Sequence, residues 1–243
     1  MIYKTALGGA RYTSVGSSLE RNCEKMDLFL GTPLDQKYIG LATLLYSLRQ
    51  DLDVYCLISV NARAINEIGT GQAFFGHIQR LSIEAISLNF CKIFEDERGY
   101  ELNSIQGVMN QLRKIEQKPT VLDASNLRTF ITRYDGQITN DTVSALEATV
   151  DKFRTKHKND LERFKTFRDK VVAHSEHGVT IQDLPSYAAM EELFDFGADF
   201  YSLIATTFLG VHPFDIKTQR HVKPSLESVL RRFGLTSIRT DMG

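Results

Sequence analysis

The sequence predicts an all-α protein, an up-and-down helical bundle with elaborated ends. Three observations carry that expectation. Apolar residues recur at spacings of three and four over most of residues 37–210. No segment alternates with the period of two that a half-buried strand would show. Polar caps and Gly or Pro breakers punctuate the periodic stretches at helix-like lengths.

Residues 1–36 hold Gly8, Gly9, Gly16, Gly31 and Pro33 among Ser and Thr, a density of breakers that predicts an irregular N-terminal arm. Tyr38, Leu41, Leu45, Leu48, Leu52 and Tyr55 then mark one face of a long helix over 37–68. Gly69 and Gly71 interrupt it. Phe74, Ile78, Leu81, Ala85, Leu88 and Ile93 resume the period as the apolar face of an antiparallel partner over 72–96. Asn103 or Ser104 caps a short helix through Leu112, and Pro119 breaks the chain. A modest helix over 123–134 ends at Asp135-Gly136. Asn140 or Asp141 caps the next, on which Val143, Leu146, Val150 and Phe153 share a face. Leu161, Phe164, Phe167 and Val171 then form one apolar sector of a helix carried through His174 and stopped by Gly178. Pro185 opens a long helix to about Leu209, and Pro224 starts a short one. The domain reading is an arm over 1–36, a bundle over 37–210 and a C-terminal extension over 211–243.

The chain has 243 residues, enough to bury a sizeable core, and a formal net charge of -1. A molecule that coats nucleic acid through its phosphates carries a basic field, so any RNA site here is local. Positive charge gathers in two places. Residues 151–170 hold eight Lys/Arg against four Asp/Glu, and residues 215–243 hold six against three. Cys23, Cys56 and Cys91 are widely spaced and odd in number, which fits neither a disulfide framework nor a metal knuckle. A reducing cytoplasm is the expected compartment. No stretch is long and apolar enough to predict a membrane span or a signal core.

The residues richest in chemistry are Arg168-Asp169-Lys170-Val171-Val172-Ala173-His174. On an α-helix a separation of six residues means about 9 Å of rise and a net turn of about 240°, with Val171 midway. Arg168 and His174 would thus flank one strip. An Arg and a His near a helix C-terminus are also ordinary end groups, offsetting unpaired carbonyls. Both readings follow from spacing alone.

Arg168-Asp169 followed by four residues and His174, late in an all-α bundle, resembles the signature of HEPN (higher eukaryotes and prokaryotes nucleotide-binding) domains. The wider layout, with "KIFEDE" at 92–97, "LNSIQGVMNQL" and "FRDKVVAHSEH", resembles the abortive-infection branch of that superfamily over about 37–209. The resemblance implies a metal-independent endoribonuclease of a defence or toxin-antitoxin type, working as a homodimer with its signature helices facing each other and needing no cofactor. His174 would then move the proton of the attacking 2'-hydroxyl or the leaving 5'-oxygen. Arg168 would offer forked hydrogen bonds to the crowded phosphate, and Asp169 would orient either partner. An antitoxin or regulatory protein would complete the set of partners. One departure stands out. Where the branch paired with a nucleotidyltransferase antitoxin has an acceptor Tyr two residues after the His, this chain has Glu176, so modification of that kind is not expected. The alternative from another class is a non-catalytic module that binds nucleotide, RNA or a protein.

Lys152, Arg154, Lys156, Lys158, Arg163, Lys165, Lys170 and His177 form the candidate phosphate track, though such a run is equally a solvated helix face. His174 and His177 lack a third partner for a metal, so none is expected. Gly8, Gly9 and Gly16 lack the Gly-Lys-Ser/Thr ending of a phosphate loop. Asp51 and Asp53, two apart on a helix, point to different sides. Cys56, Cys91, Phe130, Tyr134, Phe164 and Phe167 read as core.

Overall fold

The structure is a computed structural model that describes residues 40–96, 103–115, 125–173, 181–210, 212–235 and 237–240. Among these residues every regular element is helical, and no helix is long and apolar enough to cross a membrane.

Helix α1 spans Leu41–Ile68 and ends at Gly69, whose φ of 71° lets its N–H reach Ile65 O at 3.2 Å. That is a left-handed cap, which glycine adopts without a Cβ penalty. Gly71 is again left-handed at φ 77°, and a Cβ there would lie 2.9 Å from the Phe233 ring. Helix α2, Gln72–Phe94, leaves this turn and packs back along α1. Residues 37–39, expected at the head of α1, lie outside the described residues.

The buried face of α2 departs from the sequence expectation. Phe75, Ile83, Ile86, Phe90, Ile93 and Phe94 are buried, whereas Phe74 is 53% and Leu81 46% exposed. Ile78, Ala85 and Leu88 are only half-buried. Apolar residues occupy two sides of this helix, and the side that meets α1 and the late helices enters the core.

Ser104 caps α3 (Ile105–Arg113) by accepting from Gly107 N at 3.1 Å. Helix α4 covers Ser125–Arg133 and is followed by Asp135 at φ 55°. Asp141 caps α5 (Thr142–Lys156) through Val143 N and Ser144 N. His157, outside helical geometry at φ -99° and ψ 17°, separates α5 from α6 (Lys158–Phe167). Helix α7 runs Tyr187–Phe208, and its cap is Ser186, which accepts from Ala189 N. Pro185 therefore sits before the cap rather than in the first turn, where the sequence pattern had placed it. Helix α8 is Val222–Arg232, with Pro224 in its first turn.

Helix α7 lies at the centre. Its Phe196 stacks on Phe153 of α5 with centroids 3.8 Å apart, and Phe164 of α6 stacks on Phe90 of α2 at 4.6 Å. Phe130 and Phe167 are buried as the sequence reading expects, and Tyr134 is half-buried with its hydroxyl donating to Asp199 at 2.7 Å. A second cluster forms at the far end of the hairpin, where Leu230 and Leu235 pack on Leu57, Ile58, Ile65 and Phe75. The C-terminal segment is fastened there by Asn61, which donates to Arg239 O at 2.8 Å and accepts from Arg239 N at 3.0 Å.

Candidate functional site

Arg168 opens a π-helical turn, Arg168–Ala173, that continues directly from α6. The sequence reading carries a regular α-helix through His174, so the wider i→i+5 turn replaces the spacing worked out from 3.6 residues per turn. Val171 and Val172, both on this turn, are partly buried against the main core. His174 and His177 lie outside the described residues.

The Arg168 guanidinium reaches Asp169 Oδ1 through Nε at 2.8 Å and Nη2 at 2.7 Å, and its side chain is 26% exposed. Burial works against its charge, but the hydrogen bond to Asp169, with Cys91 and Glu95 adding to it, raises its pKa above the ordinary value. Asp169 thus orients the guanidinium from the adjacent position.

Arg168 borders a groove of about 690 Å³ between α2, α5 and α6. Phe90, Cys91, Phe94 and Glu95 line one wall; Asp151, Arg154 and Thr155 line another; Lys158, Leu161, Glu162 and Lys165 complete it. Cys91, expected in the core, packs against it and is half-buried where it lines this wall. Burial pushes its thiol up to about 11, against the pull of Arg168, so it stays protonated at neutral pH and is a poor nucleophile. Four cations of the groove face four carboxylates, Glu95, Asp96, Asp151 and Glu162.

The basic run divides among several surfaces. Arg154, Lys158 and Lys165 share the groove with Arg168. Arg154 also binds Asp96 and Phe94 O, and Lys158 lies 3.8 Å from Glu162. Lys152 donates to Asp135 O and Lys156 to Glu192, beside a different cavity that Arg133, Tyr134 and Asp195 also line. Arg163 holds the backbone of Asp183 and Leu184, fixing the approach to α7. Lys170 is exposed on the π turn.

Sequence reasoning missed a buried ion cluster. Arg49, 1% exposed, donates to Glu191 Oε2 at 2.7 Å and Oε1 at 2.9 Å, to Asp53 Oδ1 at 2.8 Å and to the Tyr187 hydroxyl at 3.3 Å. Its Cζ lies 5.0 Å from the Phe194 ring centroid. Burial alone would raise Glu191, but the hydrogen bond and charge of Arg49 outweigh it and hold the carboxyl below its usual range. Burial raises Asp53 despite Arg49. The available signal was Arg49 and Asp53 at i, i+4 among Leu45, Leu48 and Leu52. Asp51 does point elsewhere, toward Asn89 Nδ2 at 3.5 Å.

A helical bundle with Arg168 and Asp169 at the lip of a groove, and His174 following six positions after the Arg in sequence, has the features of a HEPN-type protein. Within that superfamily the chain belongs to the AbiU2 family. The family model HEPN_AbiU2 matches residues 32–220, which takes in α1 to α7 together with Arg168, Asp169 and His174. No curated protein and no solved structure matches the chain.

Proposed function

We propose that the protein is a metal-independent endoribonuclease of a defence or toxin-antitoxin type, cleaving RNA through Arg168 and His174 at a homodimer groove. The observation that carries this reading is the state of Arg168. Its guanidinium is partly open, borders a groove of about 690 Å³, and is held among the described residues by its own neighbour Asp169. A phosphate can accept from the remaining N–H groups without any change in the fold.

In this mechanism the 2'-oxygen attacks the adjacent phosphorus while the bond to the 5'-oxygen breaks. His174 removes the proton from the hydroxyl or delivers one to the leaving oxygen, two roles that two copies of the residue would divide between them. Arg168 stabilises charge building on the non-bridging oxygens, and Asp169 keeps its fork aimed. Lys158, Lys165 and Arg154 would guide the strand along the groove, and Lys170 would meet it at the π turn. An antitoxin or regulatory partner would restrain such an activity.

One observation favours a second reading, a non-catalytic module. The cations of the groove are matched by an equal number of carboxylates, which weakens attraction for a polyanion. The test is to incubate the protein with a mixed RNA pool in EDTA, alongside Arg168→Ala and His174→Ala. Cleavage by the wild type that both substitutions abolish supports the nuclease. Cleavage that persists in both removes these residues from the mechanism. RNA or nucleotide binding without cleavage, lost in the variants, establishes the module.

A further inference from the structure

The buried ion cluster leaves two polar atoms without a hydrogen-bond partner, Arg49 Nε and Asp53 Oδ2, and only the second belongs to a residue that lines a cavity. Arg49 satisfies both oxygens of Glu191 and one of Asp53, yet Asp53 Oδ2 has no hydrogen-bond partner, although the side chain is only 2% exposed. Stranding a buried carboxylate oxygen costs more than its neighbour's bond returns, so such an orphan calls for a partner.

A cavity of about 220 Å³ adjoins it, lined by Asp53, Tyr187, Glu191, Arg220, Lys223 and Thr240 among others. Arg220 Nη1 stands 3.7 Å from Asp53 Oδ1, too long for a hydrogen bond. Lys223 donates to Thr240 O at 3.1 Å and also acts electrostatically on Asp53. The five charged groups are Arg49, Arg220 and Lys223 against Asp53 and Glu191, an excess of one positive charge. The volume exceeds the roughly 30 Å³ share of one water several-fold. An occupant that suits every wall is an anion toward Arg220 and Lys223 and a hydrogen-bond donor toward Asp53.

We infer that this cavity is a binding site for a small oxyanion that keeps an acidic hydrogen, hydrogen phosphate being the simplest, with its P–OH donating to Asp53 Oδ2 and its other oxygens accepting from Arg220 and Lys223. The acceptor makes the site selective. A fully ionised oxyanion such as sulfate brings only lone pairs to Asp53 and is repelled, and a dianionic phosphomonoester shares that defect. The site is separate from the Arg168 groove, and the two cations that line it, Arg220 and Lys223, come from the C-terminal segment. Arg220 is the last residue of the family match, and Lys223 and Thr240 lie beyond it.

Calorimetric titration of the full chain with inorganic phosphate at neutral pH, in a chloride buffer of fixed ionic strength, tests this. Phosphate is expected to bind at least tenfold more tightly than sulfate or a phosphomonoester, and to raise the unfolding temperature accordingly. Arg220→Gln is expected to weaken phosphate at least tenfold while leaving the unliganded unfolding temperature within a few degrees. Asp53→Asn is expected to erase the preference over sulfate; should that variant not fold, the anion ratio and Arg220→Gln decide. Arg168→Ala is expected to keep the Arg220-dependent phosphate binding and its preference over sulfate, which separates this site from the nuclease reading. Equal binding of phosphate and sulfate, no binding, or an Arg220→Gln variant that binds unchanged overturns the inference.

Discussion

Arg49 and Arg168 each fork onto a carboxylate at hydrogen-bonding distance, yet one side chain is 1% exposed and the other 26%. Around Arg49 both terminal nitrogens are engaged, by two carboxylates and a hydroxyl, with a ring face beside the guanidinium, and Nε alone has no partner. Around Arg168 one neighbour occupies Nε and Nη2, and the rest of the fork meets the groove. The same ion-pair chemistry therefore serves two ends. Sealed in the bundle it joins α1 to α7, and at a lip it leaves a cation ready for an anion.

The largest effect is expected from Arg49→Met, which takes from Glu191 and Asp53 the guanidinium that hydrogen-bonds both. Breaking a buried pair on one side costs about 3–5 kcal/mol, read as a lower urea midpoint. A loss below about 1 kcal/mol would erase the distinction drawn between the two arginines. The triple variant Arg49→Met, Asp53→Asn, Glu191→Gln is expected to regain at least half, because no buried carboxylate is then left without the guanidinium, and Arg220, the nearest remaining cation, is 41% exposed. A pH series sharpens the point. Glu191 is held below its ordinary 4.5, so its stabilisation is complete above that value and is lost as pH falls through the lower folded one. Arg49→Met is expected to flatten that acid limb.

Arg168→Ala is the converse. With the pair part-exposed, unfolding free energy should change by less than about 1 kcal/mol. RNA cleavage should fall about 10²–10³-fold, or roughly 3–4 kcal/mol of barrier. A large loss of stability with cleavage intact would move Arg168 into the class of Arg49.

What the sequence disclosed follows the range of the interaction. The caps at Ser104 and Asp141 were legible because capping is settled within three residues. The helical class was legible from period alone, and Arg168-Asp169 from its local pattern. The buried side of α2 was not. Phe74, Leu81 and Leu88 recur at helical spacing as convincingly as Phe75, Ile83 and Phe90 do, and only the packing of α1 and α6 chooses between them. Glu95 and Cys91 come to face Arg168 from more than seventy positions away, which no local pattern reports. The π turn escaped as well, because no residue type in Arg168–Ala173 announces it.

Asp51 supplies an intermediate case, a carboxylate drawn out of water with a neutral amide beside it and no cation. Burial raises it from 3.8 to about 7. The unfolded chain ionises near 3.8 and the folded one near 7, so this group erodes stability as pH rises between them, and the loss levels off above. Asp51→Asn is expected to stabilise the protein at pH 8 by on the order of 2 kcal/mol, allowing for partial solvent access. The gain should vanish near pH 4. A gain independent of pH would mean the amide improves packing rather than relieving charge.

The smallest effect is expected where exposure is greatest. Phe74→Ser removes a large apolar ring from the same helix that buries Phe75, but Phe74 is 53% exposed and Phe75 1%. Surface substitutions of this kind usually stay within about 0.5 kcal/mol, whereas Phe75→Ala should cost about 3–5 kcal/mol through the cavity it leaves against Phe233 and Leu230. Urea unfolding of the two variants at low protein concentration checks the contrast. If Phe74→Ser costs as much as Phe75→Ala, the exposed stripe is covered in solution, and the rule that position rather than residue type sets the energy applies to a surface the single chain does not bury.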